Sequence, residues 1–465
     1  MSLPYDITDK QSIINFAKKL LGKTLRDICD LVAPNASLDK GSFGKILEKF
    51  YFLYEPNSDA QPDFKEAKLE LKSTPLKQLK KKQYRSKERL VLNIINYMDV
   101  VHQHFEESAF LKKNAHLLLI FYLHTKDTSV LDYVIKLVDE WKFPDADLEI
   151  IRQDWEFIQK KIRAGKAHEL SEGDTFYLGA CSKGATAQTT RQQPYNTILA
   201  KQRAYSLKQG YVNHIIASLA KHKTEVYGKL ITQSILHQKP SIEEIVIERF
   251  TPYYNQSLEQ ILEHFDFKLN RKSKNFYANL TKAILKIDLK HAIEEFEKAD
   301  IIVKTVRLKE NNLPKEDVSF PAFEYTRLLE ETWEESEFKA ILEHKFLFVF
   351  FQFENNQLFL RKVKFWNMPH ADIEASQKVW LEAKRVIQEG NIVKKISNKR
   401  YYTHFPSKKF STIAHVRPHA KDKDDTYPLP TLDQLTDKNN YMKHSFWLNN
   451  QYIKDKIYLL PKEVL

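Results

Sequence analysis

The chain has 465 residues, 42% of them apolar and 12% aromatic, which excludes a disordered chain and makes two domains the expectation. A formal charge of +12 favours a polyanionic partner, although plain lysine-rich solubility explains the charge as well. Cys29 and Cys181 provide neither a disulfide framework nor a metal cluster, the longest apolar run (117–123) is too short to span a bilayer, and MSLPYDITDK shows no signal peptide, so a cytoplasmic protein with no membrane partner is expected.

In chain order, SLDKGSFGKILEKF (37–50) predicts a helix carrying Glu48. QPDFKEAKLELKSTP (61–75) follows, and from Ala67 to Lys72 apolar and charged residues alternate. That pattern predicts a half-buried strand with Glu70 and Lys72 on one side, roughly 7 Å apart. Asp63 precedes it in a turn-prone stretch that would bring its carboxylate back beside Glu70. Two carboxylates and an ammonium at one point can hold Mg²⁺ and place a water against a phosphate. The plain alternative is a solvated edge strand. Three neighbours weigh against that: the Pro62-Asp63 pair, Glu48 upstream, and the basic run Lys77, Lys80, Lys81, Lys82, Arg85, Lys87 and Arg89 downstream.

AHLLLIFYL (115–123) is apolar throughout and suits a buried central strand. WKFPDADLEIIRQDWEFIQKKIRAG (141–165) reads as a helix ended by glycine, with Leu148, Ile151, Trp155, Ile158 and Ile162 on one face. Shifted by 225 residues it returns as WNMPHADIEASQKVWLEAKRVIQEG (366–390), keeping two tryptophans, proline, aspartate, glutamate and glycine in register. KFLFVFFQF (345–353) answers the apolar strand, HSFWLNNQYIKDK (444–456) answers RAYSLKQGYVNHI (203–215), and QSLEQI (256–261) answers KTLRDI (23–28). Two tandem copies of one α/β domain follow, at 1–225 and 250–465, with 226–249 as a linker.

KGSFGKILE (40–48), PDFKEAKLELKSTP (62–75), SKERLVLNI (86–94), YLGACSKGATAQ (177–188) and RAYSLKQGY (203–211), in this order, resemble the MutH-like endonucleases of the PD-(D/E)xK superfamily. With the second copy behind them, the whole chain resembles the tandem-domain, GATC-cutting type II restriction endonucleases of the Sau type. The resemblance implies a central mixed β-sheet flanked by helices in each copy. It also implies Mg²⁺-dependent hydrolysis of both strands of double-stranded DNA at 5′-GATC-3′, before the guanine. Asp63 and Glu70 would be metal ligands, Lys72 the catalytic lysine, Glu48 an accessory carboxylate, and Lys87 a further active-site lysine.

Lys183, Gly184, Arg203, Ser206 and Lys208 fall where the family reads base edges. Lysine is chemically apt for guanine O6 and N7 there, with one more surface lysine as the alternative. Ser206 stands where the methyl-sensing mismatch-repair nickase has tyrosine, so adenine-methylated and unmethylated sites are both expected to be cut. A cognate DNA methyltransferase would be a functional partner. The protein would be monomeric when free, with pairing on DNA open.

In the second copy Lys304 matches Lys72, but Ile302 replaces Glu70, Glu295 stands for Asp63 and Lys286 for Glu48. Arg417 and His419 match the region of Lys183. The expectation is a non-cutting domain that binds a second GATC as an allosteric effector and loops the DNA; a purely structural appendage is the alternative. A mismatch-repair-type nickase, which the tandem copies argue against, and a non-catalytic DNA-binding protein, which the intact Asp63, Glu70 and Lys72 argue against, are the rival readings. With 10 glycines and no G-x-x-x-x-G-K-[ST] or G-x-G-x-x-G string, nucleotide-dependent chemistry has no support.

Overall fold

Residues 116–123 lie at the centre of a sheet because a strand apolar on both faces is stable only when both are covered. The computed structural model describes residues 3–29, 42–56, 59–79, 83–184, 189–220, 226–232, 235, 237–239, 241–398 and 400–460; Lys80, Lys81 and Lys82 lie outside them. The chain divides into two units. The first comprises 1–170, 174–242 and 290–300, and the second 171–173, 243–289 and 301–465.

In chain order the first unit has α1 (Lys10–Lys18), α2 (Leu25–Ile28), α3 (Ser42–Ile46), β1 (Glu70–Gln78), β2 (Tyr84–Ser86), β3 (Leu90–Ile94), α4 (Tyr97–Val100), α5 (Ala109–Asn114), β4 (His116–Leu123), β5 (Val134–Lys142), α6 (Asp145–Arg163), β6 (Leu178–Ser182), β7 (Thr190–Gln193), β8 (Asn196–Lys201), β9 (Arg203–Leu207) and α7 (Gln209–Leu219). Its central sheet runs β2-β1-β4-β5, with β1 parallel to β4 and the outer pairs antiparallel. A second sheet, β3-β9-β6, is antiparallel, and β7 and β8 form a hairpin.

One face of the central sheet packs Leu71, Leu118 and Ile120 against Ile13, Ile14 and Ala17 of α1 and Phe43 and Ile46 of α3. Burial of this apolar surface is what holds α3, and so the segment that follows it, against β1. Gly44 permits the approach, since a Cβ there would stand 3.2 Å from Ser73 Oγ on β1.

Two short strands, β10 (Tyr227–Gly228) and β11 (Ala292–Ile293), pair in parallel within the same unit. The helix Glu294–Lys298 is fixed there by Lys298, whose Nζ lies 2.8 Å from Asp147 Oδ1 and 2.7 Å from Glu294. Thus 226–242, expected as part of a linker, and Lys290–Asp300, expected with the second copy, both pack with the first unit.

The second unit contains β12 (Ile302–Leu308), β13 (Val318–Phe323), β14 (Lys345–Glu354), β15 (Gln357–Asn367), β16 (Val393–Ser397), β17 (Arg400–Thr403), β18 (Ala414–Pro418), β19 (Thr426–Pro428), β20 (Asn440–Met442) and β21 (His444–Leu448). A sheet β12-β14-β15, with β12 parallel to β14, is followed by the helix His370–Gln388 and a sheet β13-β21-β18. This is the order of β1, β4, β5, α6 and β3-β9-β6 in the first unit.

Details recur too. Pro144 and Pro369 precede α6 and His370–Gln388, and Gly165 (φ +70°) and Gly390 (φ +63°) follow them in the left-handed region. Tyr211 donates to Asp147 Oδ2 at 2.9 Å, and Tyr452 to Asp372 Oδ2 at 2.6 Å. No helix among the described residues is long and apolar enough to cross a membrane.

Candidate active site

The predicted strand from Ala67 begins instead at Glu70. Residues 65–68 turn, with Lys68 at φ +51°, and the turn is closed by reciprocal Phe64–Leu69 backbone hydrogen bonds of 3.0 and 3.2 Å. Alternation alone does not register such a turn. The turn folds Asp63 back: its N–H donates to Glu70 Oε2 at 3.0 Å, and its Oδ2 accepts from Leu71 N–H at 3.0 Å. Glu70 is 1% exposed rather than solvated, and Lys72 Nζ donates to its Oε1 at 2.6 Å.

A buried charge is tolerated only with partners, and the structure supplies a second lysine that the sequence reading missed. Lys113, at the end of α5, is buried. Its Nζ donates to the carbonyls of Asp59 at 2.6 Å and Gln61 at 3.0 Å and lies 3.6 Å from Glu70 Oε1. It thereby ties the approach to Asp63 to the carboxylate of Glu70. Lys87 has no such position: it is exposed, and its backbone N–H donates to Pro75 O at 2.9 Å, beyond Lys72 on β1. Lys113, and not Lys87, is the second lysine beside Glu70.

Burial, and then the neighbouring Glu70, push the Asp63 carboxyl up to about 7 against the pull of Lys72. Burial likewise raises Glu48 above its usual range, with Lys72 opposing and Glu70 adding. The Glu48 carboxylate makes no hydrogen bond or ion pair with any described residue, and Asp63 Oδ1 has no donor among them. The hydroxyl of Tyr54, which the same carboxylates act upon, is buried without a partner. Unpaired acceptors around one point fit a hydrated divalent cation. Among the described residues no three His, Cys, Asp or Glu side chains close into an all-protein cage. Mg²⁺ does not need one, because it takes one or two carboxylates and completes its shell with water and phosphate.

Beyond Lys72, β1 pairs with β2 so that Lys77 faces Arg85, and both are exposed. The described part of the basic run is therefore a hairpin extending from the acidic site. Lys183 and Gly184 are exposed past the end of β6. A Cβ at Gly184 would lie 2.5 Å from the Thr189 side chain, so a larger residue there would have to displace Thr189. Asp154 of α6 positions the start of β6 by accepting the N–H groups of Phe176, Tyr177 and Leu178 at 2.6–2.9 Å.

Three other residues expected at base edges are internal. Arg203 is buried with Nη1 donating to Ala180 O at 2.6 Å. Ser206 is buried opposite Val91 and Gly179 in the second sheet, and Lys208 is buried with Nζ on Thr175 O at 2.5 Å. Arg203 and Ser206 lie on β9, the middle strand of the second sheet, and Lys208 precedes α7; all three are buried.

In the second unit Ile302 pairs with Phe346 and Lys304 with Phe348, as Glu70 pairs with Leu117 and Lys72 with Leu119. Lys304 Nζ donates to Ser319 O at 2.8 Å and lies over the Phe320 ring; burial alone holds its ammonium below the usual range. Glu295 has its carboxylate engaged by Leu230 and Ile231 N–H at 2.9–3.0 Å, and Lys286 is exposed. Arg417 and His419 are exposed, stacked on and edged against Trp447 at 4.6 and 5.4 Å.

The family model of the DNA mismatch repair enzyme MutH matches residues 52–154, which hold Asp63, Glu70, Lys72 and Lys113. Type II restriction enzyme Sau3AI of Staphylococcus aureus is 38% identical over 96% of this chain and 98% of its own. The chain belongs to the MutH-like type II restriction endonucleases. The DNA mismatch repair protein MutH of Shewanella woodyi is 23% identical over 47% of this chain and 95% of its own. As a type II restriction endonuclease the protein is a site-specific deoxyribonuclease, and its substrate is double-stranded DNA.

Proposed function

We propose that the endonuclease hydrolyses both strands at 5′-GATC-3′, before the guanine, with Mg²⁺ held in the first unit. The observation that carries this reading is the convergence of Asp63, Glu70 and Lys72, with Lys113 beneath them. Asp63 and Glu70 hold the cation and Glu48 supplies an accessory carboxylate. When bound, the cation supplies Lewis acidity and lowers the pKa of a coordinated water. Lys72 orients the attacking water and offsets charge developing on the phosphate. Lys113 keeps the 59–61 segment and Glu70 in register. Lys77, Arg85 and Lys87 contact the DNA backbone, and Lys183 reads guanine.

The two units are two copies of one fold, the second without catalysis. Ile302 offers no ligand where Glu70 does, while the exposed Arg417 and His419, packed on the half-buried Trp447, support DNA binding. The second unit binds another GATC and stimulates the first, looping the DNA. With Ser206 buried and small, no bulky side chain discriminates against N6-methyladenine, so methylated and unmethylated sites are both cut. The enzyme is monomeric when free, and a cognate methyltransferase protects the host sites.

The test is digestion of mapped one-site and two-site plasmids, methylated and not, with Mg²⁺ or chelator, followed by sequencing of the ends. Expected are Mg²⁺-dependent ends before GATC, faster cutting of two-site plasmid, and no effect of adenine methylation. Equal rates on one and two sites would refute the effector role. Resistance of methylated plasmid would refute the Ser206 argument.

A further inference from the structure

Tyr54 sits between the two segments that carry the acidic site. Its N–H donates to Glu48 O at 3.0 Å, and its ring packs edge-on against Phe64, next to Asp63, with centroids 5.5 Å apart. The first contact fixes the backbone of Tyr54 and the second packs its ring, so its hydroxyl has little freedom to seek another partner.

That hydroxyl is buried and makes no hydrogen bond. Its neighbours behave differently. In the same aromatic cluster, Tyr5 donates to Phe52 O at 2.6 Å and Tyr51 to Phe16 O at 2.9 Å. An unpaired buried hydroxyl costs stability, and phenylalanine would fill the space without that cost. The groups acting on it electrostatically are Asp63, Glu48 and Glu70, the three carboxylates of the site, and then Tyr5. Burial and these charges hold the phenol above its ordinary range.

We propose that Tyr54 is a positioning residue whose hydroxyl donates a hydrogen bond to a water held by the Asp63 and Glu48 carboxylates when the divalent cation is bound. This rests on the reading of the first unit as a Mg²⁺-dependent site. The hydroxyl fixes the orientation of a water in the cation's shell, while the acceptors that the protein leaves open, Asp63 Oδ1 and Glu48, receive the remaining contacts. Nothing in the sequence pattern marks Tyr54, because its role arises from being pinned between Glu48 and Phe64 in space.

The test compares wild type with Tyr54→Phe in three measurements: metal-free melting temperature, the Mg²⁺ concentration giving half-maximal thermal stabilisation without DNA, and kcat and KM on a GATC plasmid. Expected are an unchanged or higher metal-free melting temperature, a several-fold higher Mg²⁺ midpoint, and a ten- to hundredfold fall in kcat with KM unchanged. An unchanged Mg²⁺ midpoint and kcat would overturn the proposal, as would a fall in kcat accompanied by a lower metal-free melting temperature. Failure of the Mg²⁺ site itself is separately visible, since wild type would then neither cut nor be stabilised by Mg²⁺.

Discussion

The backbone N–H of Asp63 donates to Glu70 Oε2 at 3.0 Å, so the main chain of one acid is locked to the carboxylate of the other. Their proximity adds to burial in pushing the Asp63 carboxyl from 3.8 up to about 7. A carboxyl whose folded pKa is raised contributes its stability at low pH and loses it as pH climbs toward the folded value. Metal-free protein should therefore lose, between pH 5 and pH 8, roughly 2 to 3 kcal/mol relative to Asp63→Asn. Urea unfolding of both proteins at the two pH values checks this; parallel behaviour would show that Asp63 is ionised throughout.

Lys113 and Lys87 should separate cleanly. Lys113→Met removes the lysine donor from the Asp59 and Gln61 carbonyls and leaves Glu70 with Lys72 as its one neighbouring lysine. It should cut at least about a hundredfold more slowly and lose about 1 to 3 kcal/mol. Lys87→Ala, at an exposed position, should keep kcat and raise KM a few-fold, more at high salt. Single-turnover cleavage and melting of both variants decide the point.

Arg203 and Lys183 form a second contrast. Arg203→Met removes a buried guanidinium from Ala180 O and should lower stability by about 2 kcal/mol or more. Lys183→Ala should fold normally and weaken specific DNA binding by about 1 to 3 kcal/mol, five- to 150-fold. Denaturant melts and binding to cognate and mismatched duplexes distinguish the two.

The second unit carries its own acid sensitivity. His444 is held at about 4 by burial, with its Nδ1 at 2.7 Å from Met442 O and its Nε2 buried without a partner. Its folded pKa is depressed below 6.5, so the stability it contributes is present above 6.5 and lost as pH falls through 4. The loss should reach roughly 3 kcal/mol. His444→Gln should flatten that slope in denaturant melts between pH 7 and pH 4.5.

The features legible in the sequence were those fixed by local pattern or by the chain's resemblance to itself. Uniform apolarity marked β4 and β14 as central strands, and paired prolines, glycines and tryptophans marked the two long helices. Asp63, Glu70 and Lys72 could be seen because a short turn joins them. Lys113 could not: its partners Asp59 and Gln61 lie more than fifty residues away, and a lysine late in a short helix looks like surface. Arg203, Ser206 and Lys208 rest on correspondence alone, which does not register that all three side chains are buried. The strand expected from Ala67 starts later because Lys68 takes a left-handed turn that alternation does not reveal.

The central claim is that one constellation, in the first unit alone, performs the cleavage. Its most direct test is Mg²⁺-dependent cleavage of a GATC plasmid by wild type, Glu70→Gln and Lys304→Met. Glu70→Gln should lose at least about a thousandfold in rate while still binding DNA, and Lys304→Met should cut as wild type does. Cleavage by Glu70→Gln at the normal rate would contradict the account.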